Sequence, residues 1–171
     1  MPLFETIPYK VINKDGHIEI REYENFLLAS TKTDVNPRLD SGFNNVFDYI
    51  SGTNDAQVKI SMTTPVVTYE EEAKLVTGFY VPKKYSKASA PKPLGGRVFI
   101  HELPKAYYAV IRFSGSWKKA HFDAQDLLLQ AYLKEKKIQI ISLRYILRYQ
   151  PPFVPPFLRR NEIAYQIEYS E

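Results

Sequence analysis

The chain has 171 residues, 44% of them hydrophobic, which is enough apolar material for one domain with a substantial core. It has no cysteine, and this excludes disulfides and thiolate metal sites. The net charge is +4, because the 14 basic and 7 acidic side chains of residues 86–171 outweigh the acidic first half. The basic residues are spread through predicted strands and turns, without the dense stripe of a nucleic-acid binder.

Alternating apolar and polar residues in the first third predict two half-buried strands, His17–Tyr23 and Phe26–Val35, joined as a hairpin. Asn36-Pro37 then offers an N-cap and a first-turn proline. The apolar residues that follow recur at three- and four-residue spacing as far as Ser51-Gly52, and they predict one amphipathic helix.

A second pair of strands is predicted after this helix. The strands are Lys59–Tyr69 and Lys74–Pro82, with the acidic triplet Glu70–Glu72 as a solvated turn between them. The polar segment from Pro82 to Gly96 contains proline and paired glycine, so we expect a loop there.

The rest of the sequence repeats this order of elements. Arg97–Leu103 and Ala106–Phe113 predict another hairpin, a second helix begins near Ser116, and strands resume at Ser142–Gln150 and Glu162–Tyr169. The apolar face predicted for this second helix consists of Trp117, Ala120, Ala124, Leu127, Leu128 and Ala131.

The repeated order predicts a fold of two related halves. We expect one domain over residues 1–171, with internal halves of about 7–85 and 97–169. The predicted class is α+β: a distorted, mostly antiparallel β-barrel of two pseudo-symmetric halves, with two helices packed on the outside. A cleft between a helix and the sheet is then the natural place for a small ligand.

Five segments of the sequence align in order with the SOUL haem-binding family. They are IEIREYENF at 18–26, FDYISGTND at 47–55, KISMTTPVV at 59–67, FSGSW at 113–117 and YQPPFVPPFLRRNEI at 149–163. The resemblance covers nearly the whole chain, and irregular loop signatures at such separations seldom recur by chance. It implies a distorted barrel of two pseudo-symmetric halves with two helices, in agreement with the fold predicted above.

The resemblance also implies that the chain binds haem or another tetrapyrrole and is not an enzyme. A porphyrin is a broad apolar disc with two carboxylates, so its site needs aromatic or aliphatic walls and a few cationic groups at one edge. In haem-binding members the first helix and the Pro-rich C-terminal loop frame the pocket. The matching positions, which are the predicted ligand-binding residues, are Phe43, Phe47, Met62, Tyr149 and Phe153.

The residues at the expected cationic edge of such a pocket are less favourable for binding propionates in this sequence. Basic groups that meet the propionates in family members align with Asp40, Asp48 and Val154, so attraction is replaced by repulsion or by nothing. Lys59, Arg159 and Arg160 are nearby cations that offer compensation. Metal-free porphyrin therefore remains a candidate ligand beside haem.

The sequence does not identify a ligand for haem iron. Of the three histidines, His17 and His101 are expected at solvent-facing positions, and His121 flanks the apolar face of the second helix. None lies near Asn25, the strand position proposed to ligate iron in some relatives. The metal ligand therefore stays unassigned.

Several alternatives remain open. The segment Arg159–Glu162 either binds an anion or braces its loop by hydrogen bonds, and the planar donors of arginine favour bracing. Phe43 and Phe47 have the spacing of core residues as well as of a ligand wall, and Met62 suits a gap in a core.

A second class of function competes with tetrapyrrole binding. The duplicated architecture also resembles gyrase-inhibitor-like effector-binding domains, some of which bind amphipathic cations or hydrolyse strained ligands. Asp40 and Asp48 suit that function, because carboxylates attract cations and act as bases. A third possibility is a protein-interaction domain, marked by an exposed apolar patch.

The expected partners follow from these features. We expect a small tetrapyrrole ligand, no nucleic acid and no membrane partner, with a monomer favoured. No window of the sequence reaches the roughly 18 apolar residues of a membrane helix, and the N-terminus lacks the features of a signal peptide. The expected location is the cytoplasm.

Overall fold

The structure is a computed structural model that describes residues 4–35 and 42–170. These residues form two compact units. The first unit contains the chain up to Ile7 and Asn25–Pro104, and the second contains Pro8–Glu24 and the chain from Lys105 onward. The second unit therefore takes Pro8–Glu24 from the first predicted half of the sequence, and the first unit takes residues 97–104 from the second. That both units belong to one domain remains a prediction.

The first unit is built on a four-stranded antiparallel sheet, with its strands numbered here along the whole chain. In spatial order the strands are β6 (Val66–Glu71), β7 (Lys74–Tyr80), β4 (Phe26–Asp34) and β8 (Phe99–Leu103). A short parallel pair accompanies them, formed by β1 (Glu5–Thr6) and β5 (Thr63–Thr64). Residues 82–96 form no helix or named strand, as predicted.

Helix α1 (Phe43–Ile50) packs on β4 and β7. It buries Val46, Tyr49 and Ile50 in the core of this unit, and the Tyr49 hydroxyl donates a hydrogen bond of 2.6 Å to the carbonyl of Pro91. The helix ends where Ser51-Gly52 predicts. The predicted start at Asn36-Pro37 lies outside the described residues.

The second unit has a five-stranded antiparallel sheet. In spatial order the strands are β2 (Lys10–Asp15), β3 (Ile18–Tyr23), β9 (Ala106–Phe113), β11 (Asn161–Gln166) and β10 (Tyr145–Arg148). A single 3-10 turn, Pro156–Leu158, lies in the Pro-rich segment between β10 and β11. Helix α2 (Lys119–Glu135) packs on β9 and β11, starting three residues after the predicted Ser116.

The predicted apolar face of α2 is wrong. Leu127 and Leu128 are 68% and 58% exposed. The side chains that the helix buries are Phe122, Asp126, Leu129 and Leu133.

The buried face of α2 contains one polar residue, Asp126, beside the large apolar residues Phe122, Leu129 and Leu133. The carboxylate of Asp126 accepts hydrogen bonds from the Tyr165 hydroxyl at 2.7 Å and from the Arg144 guanidinium at 3.1 Å. Two stripes of the helix have apolar residues at helical spacing, and only one of them brings Asp126 to these partners. The exposed stripe has more apolar residues, but three of its five members on the helix are alanines, whereas the buried stripe contains Phe122, Leu129 and Leu133.

Two of the predicted hairpins, His17–Tyr23 with Phe26–Val35 and Arg97–Leu103 with Ala106–Phe113, are also wrong. Strand β3 pairs with β2 and β9, while β4 pairs with β7 and β8, so neither β3 and β4 nor β8 and β9 are partners. In the link Pro104-Lys105, the proline ring fixes φ at a negative value and so prevents the positive φ of a type I′ hairpin turn. The link between β6 and β7 does form a hairpin, and both its residues, Glu72 and Ala73, have positive φ.

The α+β class is confirmed, with two helices and mostly antiparallel strands. The expected barrel is not closed within the described residues: β6 does not pair with β8 in the first unit, and β2 does not pair with β10 in the second. No helix in residues 4–35 and 42–170 is both long enough and apolar enough to cross a membrane.

Candidate functional site

Two phenylalanines of α1 form an aromatic pair at the surface of the first unit. The rings of Phe43 and Phe47 are stacked, with centroids 5.8 Å apart and planes 16° from parallel. Phe43 is half-buried and meets the buried ring of Phe79 edge-on at 5.1 Å, whereas Phe47 is 46% exposed. The pair is therefore anchored on the core and leaves one large aromatic side chain in contact with solvent.

Met62 lies in the same unit as this pair. It is half-buried and packs on the core cluster on which Phe43 also packs. Asp48, next to Phe47 in the chain, is exposed, and Asp40 lies outside the described residues. Three of the five predicted ligand-binding residues therefore lie in the first unit, and two of them, Phe43 and Met62, pack on the same core cluster.

Two of the three histidines, His101 and His121, make a polar contact within their own unit. His101 in the first unit is half-buried, not solvent-facing as predicted, because its Nε2 lies 3.0 Å from the Ser30 hydroxyl, and burial lowers its pKa. In the second unit, His121 Nε2 lies 2.9 Å from the Ser114 carbonyl oxygen, and His17 is exposed. Among the described residues, no three His, Asp or Glu side chains are grouped to hold a metal ion.

The Pro-rich loop of the second unit, residues 149–160, exposes large apolar side chains. Phe153 is 85% exposed and Phe157 is 74% exposed. Arg159 holds the loop: its Nε donates to the carbonyl of Val154 at 2.9 Å and its Nη2 to the carbonyl of Pro152 at 2.8 Å. The predicted bracing role of this segment is confirmed for Arg159.

A buried ionic cluster lies in the second unit, at the C-terminal end of the same loop. The Arg21 guanidinium donates two hydrogen bonds of 2.8 Å to the carboxylate of Glu162, and both side chains are fully buried. Arg160 donates to the same carboxylate at 3.0 Å. Burial alone would raise the pKa of Glu162, but these two arginines outweigh that effect and lower it below its ordinary value.

Tyr149 belongs to this ionic cluster. Its hydroxyl donates to Glu162 at 3.1 Å, and the Arg160 guanidinium lies over its ring at 3.9 Å. Burial, together with the negative charge of Glu162, raises the pKa of Tyr149 well above its ordinary value. Of the two predicted residues in the second unit, Tyr149 is therefore committed to internal contacts, whereas Phe153 faces solvent.

The second unit also contains a cleft of about 490 Å³ that sequence reasoning missed. A basic stretch of wall comes from His17, Arg112 and Arg159, and an apolar stretch from Phe113 and Leu158. The remaining lining residues are Ser114, Gln125 and Arg160. We refer to it as the basic cleft.

A family model described as SOUL heme-binding protein matches residues 4–166 of this chain. The chain belongs to the SOUL family. This SOUL protein is 29% identical to heme-binding protein 2 of Homo sapiens over 91% of its length and 80% of the relative. It is 26% identical to heme-binding protein 1 of Bos taurus over 93% of its length and 90% of the relative. The resemblance inferred from five short segments is thereby confirmed.

Solved structures share the fold of this SOUL protein at low sequence identity. The C-terminal domain of EcmrR matches with a TM-score of 0.67 at 10% identity, covering 95% of this chain and 99% of that one. A hydrolase from Listeria innocua has a TM-score of 0.62 at 7% identity, covering 92% and 94%. SAV2435 bound to tetraphenylphosphonium has a TM-score of 0.53 at 11% identity, covering 88% and 93%.

The ionic cluster and the basic cleft are the features that reading the sequence missed. The sequence signal for the ionic cluster is misleading: Glu19, Arg21 and Tyr23 alternate along β3, and the structure buries all three. Charged residues at alternate strand positions normally indicate the solvent side. The cleft had no such signal, because its residues are far apart in the sequence and meet only in the folded unit.

Proposed function

We propose that this SOUL protein binds haem or another tetrapyrrole without transforming it, as a carrier or buffer expected in the cytoplasm. The observation that carries the proposal is the exposed Phe43–Phe47 pair on α1, at positions that the family resemblance assigns to the ligand pocket. The names of its relatives, heme-binding proteins 1 and 2, support the same ligand class. Exposed aromatic surface of this kind is what a flat macrocycle covers on binding.

The residues present suit the ring of a tetrapyrrole better than its carboxylates. Phe47 offers an apolar face, and Phe43 fixes that face through its contact with Phe79. The carboxylate of Asp48 follows directly and repels a propionate at this point. We therefore propose that apolar contact with the ring supplies most of the affinity at α1.

The first unit offers no free side chain for haem iron among its described histidine and methionine residues. His101 is half-buried against Ser30, and Met62 is packed on the core. We therefore propose no step that depends on iron, and haemin and metal-free protoporphyrin are expected to bind with similar affinity.

A titration tests the proposal directly. The purified protein is titrated with haemin and with protoporphyrin IX, and the Soret band and the fluorescence of Trp117, the single tryptophan of the sequence, are followed. Saturable binding of both ligands at micromolar concentration is the expected result. If neither ligand shifts its Soret band or quenches Trp117 at those concentrations, the proposal is wrong.

Matched variants connect the titration to α1. Phe47→Ala is expected to weaken the binding of both ligands about tenfold, because it removes the exposed aromatic contact. Phe4→Ala is the control, since Phe4 is 43% exposed and Phe47 46% exposed in the same unit. Equal affinities of the two variants would place the ligand elsewhere and contradict the assignment to α1.

A second candidate function is binding or hydrolysis of an amphipathic cation, as in effector-binding modules. The exposed carboxylate of Asp48 beside Phe47 favours it, and SAV2435, which shares the fold, is bound to tetraphenylphosphonium. Glu162 is a poor partner for a cation, because Arg21 and Arg160 already neutralise its charge.

Tetraphenylphosphonium distinguishes the two candidates. If this cation binds, displaces protoporphyrin and loses affinity in Asp48→Asn, the effector-like function is favoured. If Asp48→Asn leaves cation binding unchanged and strengthens the binding of dianionic haemin, the tetrapyrrole function is favoured.

A further inference from the structure

The basic cleft of the second unit carries positive charge without a counter-charge. Its lining includes three arginines and no acidic residue. Arg160 shares the carboxylate of Glu162 with Arg21, and among the described residues no carboxylate forms an ion pair with Arg112 or Arg159. The cleft therefore presents two uncompensated guanidinium groups.

Arg159 is held in place before any ligand arrives. Two backbone carbonyls of the Pro-rich loop accept hydrogen bonds from its Nε and Nη2, and its guanidinium lies 4.2 Å from the centre of the Trp117 ring. Carbonyls fix the direction of a guanidinium without cancelling its charge. A cation fixed in this way loses little conformational freedom when an anion binds to it.

Part of the cleft wall is apolar, and this points to an amphipathic ligand. Phe113 and Leu158 line the cleft, and Leu158 is 60% exposed. A volume of about 490 Å³ lies within the range of small-molecule pockets. An inorganic anion would use the arginines and leave this apolar surface uncovered.

We infer that the basic cleft is a binding site for an apolar carboxylic acid, whose carboxylate is held by Arg112 and Arg159 while its apolar body covers Phe113 and Leu158. The planar donors of arginine match a carboxylate, and ionised hydrogen bonds are the stronger kind. The site goes beyond the proposed function, because it contains none of Phe43, Phe47 and Met62.

Nuclear magnetic resonance with a series of ligands tests the inference. The indole N–H of Trp117 donates to Asn161 at 3.0 Å and gives a single ¹⁵N–¹H indole signal that reports on the cleft. The probes are 4-phenylbutyrate, 4-phenylbutanol and 4-phenylbutylamine at low ionic strength. The carboxylate is expected to shift this signal and to bind about tenfold more tightly than the alcohol. The amine is expected to bind more weakly than either.

Variants assign the effect to the arginines. Arg112→Gln is expected to weaken 4-phenylbutyrate binding about tenfold, and Arg112→Lys to retain part of the affinity. Arg97→Gln, the same change at an exposed arginine of the first unit, is the control and should leave the affinity unchanged. Equal binding of the carboxylate and the alcohol, or an unchanged affinity in Arg112→Gln, would overturn the inference.

The proposed occupant is a free small acid, so the haemin affinity of Arg112→Gln is expected to equal that of the unmodified protein. Weaker haemin binding in this variant would overturn the assignment of the cleft to a separate small acid. The fate of the tetrapyrrole proposal is decided separately, by the titration and by Phe47→Ala.

Discussion

Each unit consists of an antiparallel sheet with one helix packed on it, but the two units bury different kinds of polar side chain. Among the described residues, every buried charged side chain belongs to the second unit: Glu19, Arg21, Asp126, Arg148 and Glu162. The buried polar side chains of the first unit are neutral: Ser30, Thr31, Asn54, Thr63, Thr68 and Thr77. The face of the second sheet that α2 covers is apolar, with Ile20, Ile111 and Ile163, whereas Arg21 and Glu162 occupy alternate strand positions and point to the other face.

This difference has an energetic consequence. A buried ion pair balances a large desolvation cost against a strong attraction, so its net contribution is small while the loss of one partner is severe. A buried threonine that loses its hydroxyl gives up much less. We therefore expect the second unit to be the more sensitive to single substitutions in its interior.

The largest expected effect is at the Arg21–Glu162 pair. Glu162→Leu leaves the buried Arg21 guanidinium without its carboxylate and should lower the free energy of unfolding by about 3–5 kcal/mol. The double variant Arg21→Met with Glu162→Leu should recover much of this loss. Urea denaturation followed by circular dichroism measures both.

Thr77→Val in the first unit is the matched comparison for that pair. The Thr77 hydroxyl is buried and has no hydrogen-bond partner among the described residues, so its removal should change stability by less than about 1 kcal/mol. A loss in Thr77→Val as large as in Glu162→Leu would remove the contrast between the two units.

Adjacent leucines on α2 give the next largest difference. Leu129 is fully buried, and Leu129→Ala should cost about 2–5 kcal/mol through the cavity it creates. Leu128 is 58% exposed, and Leu128→Ala should change stability by no more than about 0.5 kcal/mol. Thermal or urea unfolding of the two variants measures the difference, and equal losses would contradict the orientation of this helix.

Acid should weaken the second unit through Glu162. Because its pKa in the folded state lies below the ordinary 4.5, the ionised carboxylate contributes stability that is fully present above that value. This contribution is lost as the pH falls from 4.5 through the lower folded pKa. Glu162→Gln cannot titrate, so its urea midpoint should fall less than that of the unmodified protein between neutral and acidic pH. A parallel fall in both proteins would contradict the prediction.

A loss smaller than that of Glu162→Leu is expected for a hydrogen bond of the first unit. Tyr49→Phe removes the hydrogen bond to the carbonyl of Pro91 but keeps the buried ring, so we expect a loss of about 1–2 kcal/mol. The substitution also removes the phenol whose pKa burial raises to about 12. Urea unfolding measures the loss, and a loss matching that of Glu162→Leu would again erase the difference between the units.

Reading the sequence succeeded where one local signal dominates. The Ser51-Gly52 stop of α1, the hairpin after Glu71 and the loop between 82 and 96 all follow from turn chemistry and periodicity. The family followed from irregular motifs that periodicity cannot produce, above all the Pro-rich segment 149–163.

It failed where partners distant in the sequence decide the outcome. Strands β3 and β4 are neighbours in the chain, but each finds its partners in a different unit. The buried face of α2 includes Asp126, whose partners Arg144 and Tyr165 are distant in the sequence and cannot be anticipated from hydrophobic spacing. The candidate site divides in the same way, because the aromatic pair of α1 lies within one helical turn and the basic cleft gathers residues from four separated segments.

The central claim is that α1 contacts a tetrapyrrole through its exposed aromatic pair. Addition of metal-free protoporphyrin to ¹⁵N-labelled protein maps this contact most directly, because a porphyrin ring strongly shifts the signals of nearby amides. The largest shifts are predicted for the amides of Phe43–Ile50. Saturable binding with shifts confined to other segments, and with α1 undisturbed, would contradict the claim.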